Sequence, residues 1–354
     1  MNIAFIYDDN SQTLSSYPRW RGWMFYNAIK KTSLHIVDIL SSTNFSLNNH
    51  YALEACSDKQ IIVIEGSFQI ELLDTINFWK SRGKVVVVDI PLEANSRCRN
   101  SLPQTGDSYP LGGFYSIHSR AEFEVMDNTQ KFRWGLHLAD AILVSSPDQK
   151  EQWQSTAPVK IIPEYINLDL LRDLVKINHK EIVIGFLGEI NNPQNDELLS
   201  IVSRICELYP NVQWLPLTEE QNKFSSLLPK SSKAELPVGT TNKWPHPLML
   251  VDIGLIWSSQ TLPGEKYRNI LEFMALKIPW ISNDIRGYQG INRYGLMAQT
   301  YNDWEKSITD LIVHLDDYNQ ECEKEPFLYA MSQNIDDHIH EILIILSEFW
   351  KGTE

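Results

Sequence analysis

Glu265, Arg268, Asn269 and Glu272 recur at i, i+3, i+4 and i+7, a spacing that puts two carboxylates, a guanidinium and an amide on one face of a helix. Tyr267, Ile270, Leu271 and Met274 fill another face. Carboxylates in such a row accept hydrogen bonds from hydroxyls, and the cation answers an anion such as phosphate. Glu272 is followed at once by Phe273-Met274-Ala275-Leu276. A carboxylate in that company costs several kcal/mol unless hydroxyls or cations meet it. Spacing alone leaves two readings open: a ligand supplies those partners, or Glu272 pairs with Lys266 or Arg268 on a half-exposed helix.

The elements that would position these residues form one β-α-β unit. Asp252 to Trp257 reads as a buried strand, Thr261 to Gly264 as a Pro/Gly loop, Glu265 to Leu276 as the helix and Ile278 to Ser282 as a second buried strand. The same alternation runs through the chain. Strands are expected at Asn2–Tyr7, Leu34–Leu40, Gln60–Glu65, Lys84–Ile90, Ala141–Ser145 and Val159–Ile162, with helices over Trp20–Lys31 and Gln69–Ser81. Continuous apolar runs such as Val85-Val86-Val87-Val88 call for burial on both faces, as in a parallel sheet. Ser146-Pro147-Asp148 starts a helix with a cap, a first-turn proline and an early acid. After the polar stretch Asn167–Lys180 the pattern restarts with a strand at Ile182–Leu187, a helix at Asp196–Leu208 and a strand at Val212–Leu217. The expectation is an α/β chain of two doubly wound, Rossmann-like domains: residues 1–170, residues 180–334, and a last amphipathic helix in 335–354.

Composition narrows the chemistry. The 354 residues are 43% hydrophobic and 21% charged with a net charge of −14, which suits a soluble globular protein with two cores and argues against a nucleic-acid partner. Four dispersed cysteines without a CxxC pair fit reduced thiols. No signal peptide and no membrane-spanning run is evident, so a cytoplasmic protein is expected. GxGxxG after the first strand, GxxxxGK[ST] and GxSxG are all missing. No D-x-D pair occurs, and His338 and His340 lie two apart on a helix, pointing in different directions; no metal is expected.

The order strand, Pro/Gly loop, glutamate-bearing helix and Ile278-Pro279-Trp280-Ile281-Ser282 resembles the nucleotide-sugar half of GT-B-fold glycosyltransferases, the large retaining group with paired glutamates (family 4-like). Leu138-Ala139-Asp140-Ala141-Ile142-Leu143-Val144-Ser145 is similar to a strand late in their first domain. Ile184-Gly185-Phe186-Leu187-Gly188 is similar to the strand and glycine turn opening their donor domain, and Asn302-Asp303-Trp304 to the start of a later helix. The resemblance implies two domains facing across a cleft, with the final helix crossing back onto the first. It implies transfer of a sugar from a nucleoside diphosphate donor to a carbohydrate, lipid-linked or small-molecule acceptor, with retention and with no cofactor. Glu272 would hold the ribose hydroxyls and Glu265 would lie near the sugar. Gly188, Gly264, Lys266, Arg268 and Asn269 would line the donor site, and the diphosphate would sit by Pro263-Gly264. His118, after Gly112-Gly113, would approach the sugar from the first domain, and Asp89 would meet acceptor hydroxyls.

The chain departs from that pattern in two places. Where such enzymes carry an Arg and a Lys after the glycine turn, it has Glu189, Asn191, Asn192, Gln194 and Asn195; the glutamates are also one residue closer than usual. Lys266 and Arg268, or Arg19 and Arg21, are the substitute cations. The stretch from Tyr17 to Lys31 combines four cations with large aromatics, which suits either closing on the diphosphate or holding an anionic acceptor at the inner membrane face; the plainer reading has Trp23 and Tyr26 packed on the sheet. Two further readings remain open, a non-catalytic GT-B-like binding or assembly protein and a sugar-nucleotide epimerase. Oligomeric state is left open.

Overall fold

A computed structural model describes residues 1–7, 21–65, 70–90, 135–188, 195–217, 228, 230–236, 244–257, 263–283 and 289–351, with backbone alone at 70–73, 195, 196, 230, 263–266, 289 and 351. The chain forms two compact units, one of Met1–Glu164 with His338–Glu354 and one of Tyr165–Asp337.

The first unit is built on a six-stranded parallel sheet of order β2-β1-β3-β4-β5-β6, whose strands are β1 (Asn2–Tyr7), β2 (Ile36–Ser41), β3 (Ile61–Glu65), β4 (Val85–Asp89), β5 (Ala141–Val144) and β6 (Val159–Ile161). Its described helices are α1 (Arg21–Thr32), α2 (His50–Ser57), α3 (Ile70–Lys80) and α4 (Pro147–Trp153). The valine run of β4 is buried at every position because strands and helices cover it on all sides. On one face Ala4, Ile62, Val86 and Ile142 pack against Cys56 of α2, Ile76 and Trp79 of α3 and Trp153 of α4. On the other, Phe5 meets Phe25 of α1 with ring centroids 6.3 Å apart. The side chains α1 buries are Arg21, Met24, Phe25, Ala28 and Ile29. Trp23 and Tyr26 are half-buried, with ring centroids 5.7 Å apart and planes tilted by 40°. Ser146 caps α4 as its type predicts, accepting from the Gln149 amide.

The second unit holds a five-stranded parallel sheet of order β11-β10-β9-β7-β8: β7 (Ile182–Gly188), β8 (Val212–Pro216), β9 (Ile253–Trp257), β10 (Trp280–Ser282) and β11 (Leu296–Met297). Helices α5 (Asn195–Leu208), α6 (Pro263–Ala275), α7 (Tyr301–Val313), α8 (Leu315–Cys322) and α9 (Glu325–Met331) surround it. Ile184, Phe186, Trp214 and Leu255 point at Leu198 and Ile201 of α5 and Ile308 of α7; residues one step away, Val183, Leu187 and Ile256, join the α6 side with Ile270, Leu271 and Phe273. That alternation is the pleat at work. At the centre Gly185 and Gly254 are register partners, and a Cβ on Gly254 would lie 2.5 Å from the Phe273 ring. Thr300 and Asp303 form a capping box at the start of α7, and Trp304 in its first turn meets Trp257 with ring centroids at 4.9 Å.

The polar stretch 167–180 is no free linker. Leu171 is buried, and Leu168, Leu174 and Ile177 pack on the core of the second unit. The chain leaves the first unit at Glu164 and returns along α10 (Ile335–Lys351), whose first residues belong to the second unit. Ile166 bridges Asn334, with its amide 3.1 Å from the Gln333 carbonyl and its carbonyl 2.9 Å from the Ile335 amide. Farther along α10, Glu348 pairs with Lys160 of β6 at 2.5 Å.

Candidate functional site

Both sheets reverse their strand order at one place, between β1 and β3 in the first and between β7 and β9 in the second. The carboxyl ends of strands at such a reversal are where doubly wound folds bind ligands. The predicted site residues within the described chain fall into two groups, one in each unit.

In the second unit β7 ends at Gly188, in register with Trp257 at the end of β9. A Cβ on Gly188 would sit 2.6 Å from the Trp257 carbonyl oxygen. Close approach of the neighbouring strand therefore already demands glycine there. Helix α6 begins at Pro263, two residues before the predicted start, so Pro263 and Gly264 are its first residues and not part of the preceding loop. A proline there has no N–H to leave unpaired. Glu265 and Lys266 lie in the first turn of α6.

Farther along α6 almost every side chain is covered. Asn269 is 4% and Glu272 5% exposed, and Arg268 is half-buried. Asn269 and Glu272 are thus enclosed, and Glu272 is no half-exposed surface carboxylate. Its Oε1 accepts from Trp244 Nε1 at 3.3 Å, a contact that the sequence reading missed. Trp244 precedes a cis proline, Pro245, and a short 3₁₀ helix, His246–Leu250, that leads into β9. The Tyr267 hydroxyl, also from α6, meets that of Tyr329 on α9 at 2.8 Å.

In the first unit Arg21 opens α1 and is 5% exposed. Its Nε lies 3.1 Å from Asp89 Oδ2, its Nη1 lies 3.3 Å from Glu164 Oε1, and its Nη2 donates to the Val144 carbonyl at 3.3 Å. Packing accounts for this arginine after all, because two buried carboxylates need its charge. Asp89, at the end of β4, is 1% exposed and faces Arg21. Burial, the largest cause, pushes its carboxyl up to about 6; Arg21 opposes that shift and Glu164 adds to it. Glu65, ending β3, is in register with Asp89. Sequence reasoning singled out neither Glu65 nor Glu164. The signal for Glu65 was present, since the apolar runs of β3 and β4 both end in a carboxylate. Lys30, farther along α1, is exposed and bonds the Tyr26 hydroxyl at 2.9 Å. Arg19 and His118 lie outside the described residues.

Among the described residues no group of three or more His, Cys, Asp or Glu side chains is placed to hold a metal ion, and no helix is long and apolar enough to cross a membrane.

No family model matches the sequence, and no curated protein matches it significantly. Solved structures do. The N-terminal domain of trehalose-6-phosphate phosphatase from Candida albicans superposes with a TM-score of 0.55 at 10% identity, covering 98% of this chain and 97% of that one. The Glycosylation Associate Protein (Gap123) complex from Streptococcus agalactiae matches with a TM-score of 0.46 at 14% identity over 83% of this chain, which spans 54% of that one. The C-terminal domain of a glycosyl transferase group 1 family protein (LpcC) from Francisella tularensis matches with a TM-score of 0.36 at 13% identity, over 48% of this chain and 97% of that one. The first of these extends over the whole chain, and the likeness it establishes is one of fold: two Rossmann-like α/β units built on parallel sheets.

Proposed function

We propose that the chain is a glycosyltransferase-type protein that binds a nucleoside diphosphate sugar on its second unit and transfers the sugar, with retention and without a metal, to a carbohydrate, lipid-linked or small-molecule acceptor. The observation that carries this reading is Glu272, a carboxylate 5% exposed on the helix after β9, beside a strand-order reversal. Ribose hydroxyls are the partners that such a carboxylate would accept, with Trp244 fixing its second position. The first turn of α6 would receive the diphosphate through its backbone N–H groups, and Lys266 and Arg268 would supply the charge. Departure of the diphosphate would then be assisted by fixed cations and dipoles, with no protein nucleophile. Glu265 would attend the sugar.

The test is a panel of nucleoside diphosphate sugars scored by thermal shift, repeated with Glu272→Gln. A ligand at 100 times its dissociation constant adds about 2.7 kcal/mol of stability. The variant should fold normally and lose about 10- to 100-fold in nucleotide affinity, because a hydrogen bond to a charged acceptor contributes roughly 1.5–3 kcal/mol. Unchanged affinity with lowered stability would make Glu272 a structural carboxylate and end this reading.

A second reading, a non-catalytic nucleotide-binding or assembly protein, is favoured by one observation. Glu189 and Asn191 stand where cations are usual, and Arg21, a substitute, is already engaged by Asp89 and Glu164. Binding of a nucleotide sugar without turnover on any acceptor would select it.

A further inference from the structure

At the carboxyl edge of the first sheet a single guanidinium is shared between two carboxylates in a place that water barely reaches. Arg21 is 5%, Asp89 1% and Glu164 4% exposed. Asp89 Oδ2 lies in the ion pair with Arg21, and among the described residues neither buried oxygen of Asp89 has a hydrogen-bond partner. The gap beside it, lined by Tyr7, Gly22, Val63 and Glu65, is too narrow for a water molecule. A proton fits there. Glu164, the other carboxylate on Arg21, is the residue at which the chain first leaves the first unit, and two residues later Ile166 is bridged to Asn334, on the segment by which the chain returns.

We propose that Asp89 is a proton-binding residue whose occupancy sets how firmly Arg21 holds Glu164, and so regulates the segment through which the chain leaves the first unit. With Asp89 ionised, Arg21 divides its charge between two carboxylates. With Asp89 neutral, the guanidinium turns more of its charge to Glu164. Among the described residues, the titratable groups that face Asp89 are Arg21 from α1, Glu164 after β6, Glu65 from β3 and Tyr7 from β1. Burial and the neighbouring Glu164 favour the neutral form, against the pull of Arg21. Because burial raises the Asp89 carboxyl to about 6 from 3.8, the closed arrangement binds the proton more tightly than an open one. Its added stability is therefore complete below the open-state value and is lost as pH rises through about 6.

Hydrogen exchange of the full chain between pH 5 and pH 8, corrected for intrinsic rates, tests this at residues 162–168. Protection there should be about tenfold greater at pH 5 than at pH 8, with a midpoint near 6. Asp89→Asn, which imitates the neutral form, should hold the protected level at every pH, and Glu164→Gln should abolish the step at a lower level. Flat protection in the unsubstituted protein, or a pH step that survives in Asp89→Asn, would overturn the proposal. Should Asp89→Asn fail to fold, isotope-edited infrared titration of the aspartates in the unsubstituted protein still decides: no aspartate titrating near 6 overturns it.

Discussion

Replacing Arg21 by methionine should destabilise the first unit by about 3–5 kcal/mol, the usual consequence of removing one partner from a buried ion pair. The loss follows from what stays behind, since Asp89 and Glu164 would face one another across a dry site with Glu65 alongside. The two-unit chain does not promise a single unfolding transition, so the measurement is a urea series read by hydrogen exchange at β1 and β4. The triple variant Arg21→Met/Asp89→Asn/Glu164→Gln should recover most of the loss, because the two carboxylates that Arg21 meets lose their charge along with it. A single variant as stable as the parent, or a triple variant no better than the single, would show that the guanidinium does not hold this edge together.

Gly254→Ala should cost the second unit about 1–3 kcal/mol, and more if the backbone cannot yield. The new methyl group would meet the Phe273 ring at 2.5 Å. Phe273 is fully buried and Gly254 pairs with Gly185 in the middle of the sheet, so neither side has room to withdraw. Phe273→Leu makes room at the price of lost packing. Combining the two substitutions should cost less than the sum of the singles by roughly 1 kcal/mol or more, as expected for residues in contact. Strict additivity would mean that the strand and not the ring takes up the strain.

Much of the architecture was legible because it is encoded locally. The valines of β4 allow nothing but a covered strand, and Ser146-Pro147-Asp148 starts α4 where its capping chemistry requires. Helix α2 escaped notice because its eight residues carry little periodicity, although Asn49 caps it through the Tyr51 and Ala52 amides. The alternation of elements led correctly to two parallel α/β units. It could not place the end of the first, because nothing in the spacing of Asn167–Lys180 shows Leu171 turning inward. The site residues divide in the same way. Helical spacing put Asn269 and Glu272 together, but the Trp244 indole comes from 28 residues away. Arg21 meets Glu164 across a separation of 143 residues, a pairing that only the sheet topology creates. Cations read along the chain looked available for a ligand; folded, one of them is already taken.

The route of the chain bears on how the protein is made. The second unit is a continuous stretch, Tyr165–Asp337, whereas the first is completed by residues from His338 onward. On a ribosome, the six strands of the first sheet emerge early but their last helix emerges only after the whole second unit, a delay of about 9–35 s at 5–20 residues per second. During that interval the surface of the first unit that receives α10 is uncovered, including Lys160, whose partner Glu348 has yet to be synthesised. The second unit needs nothing that comes later and can fold on emergence. Although first in sequence, the N-terminal unit is the last to be finished, and nascent-chain factors would meet it in that half-made state.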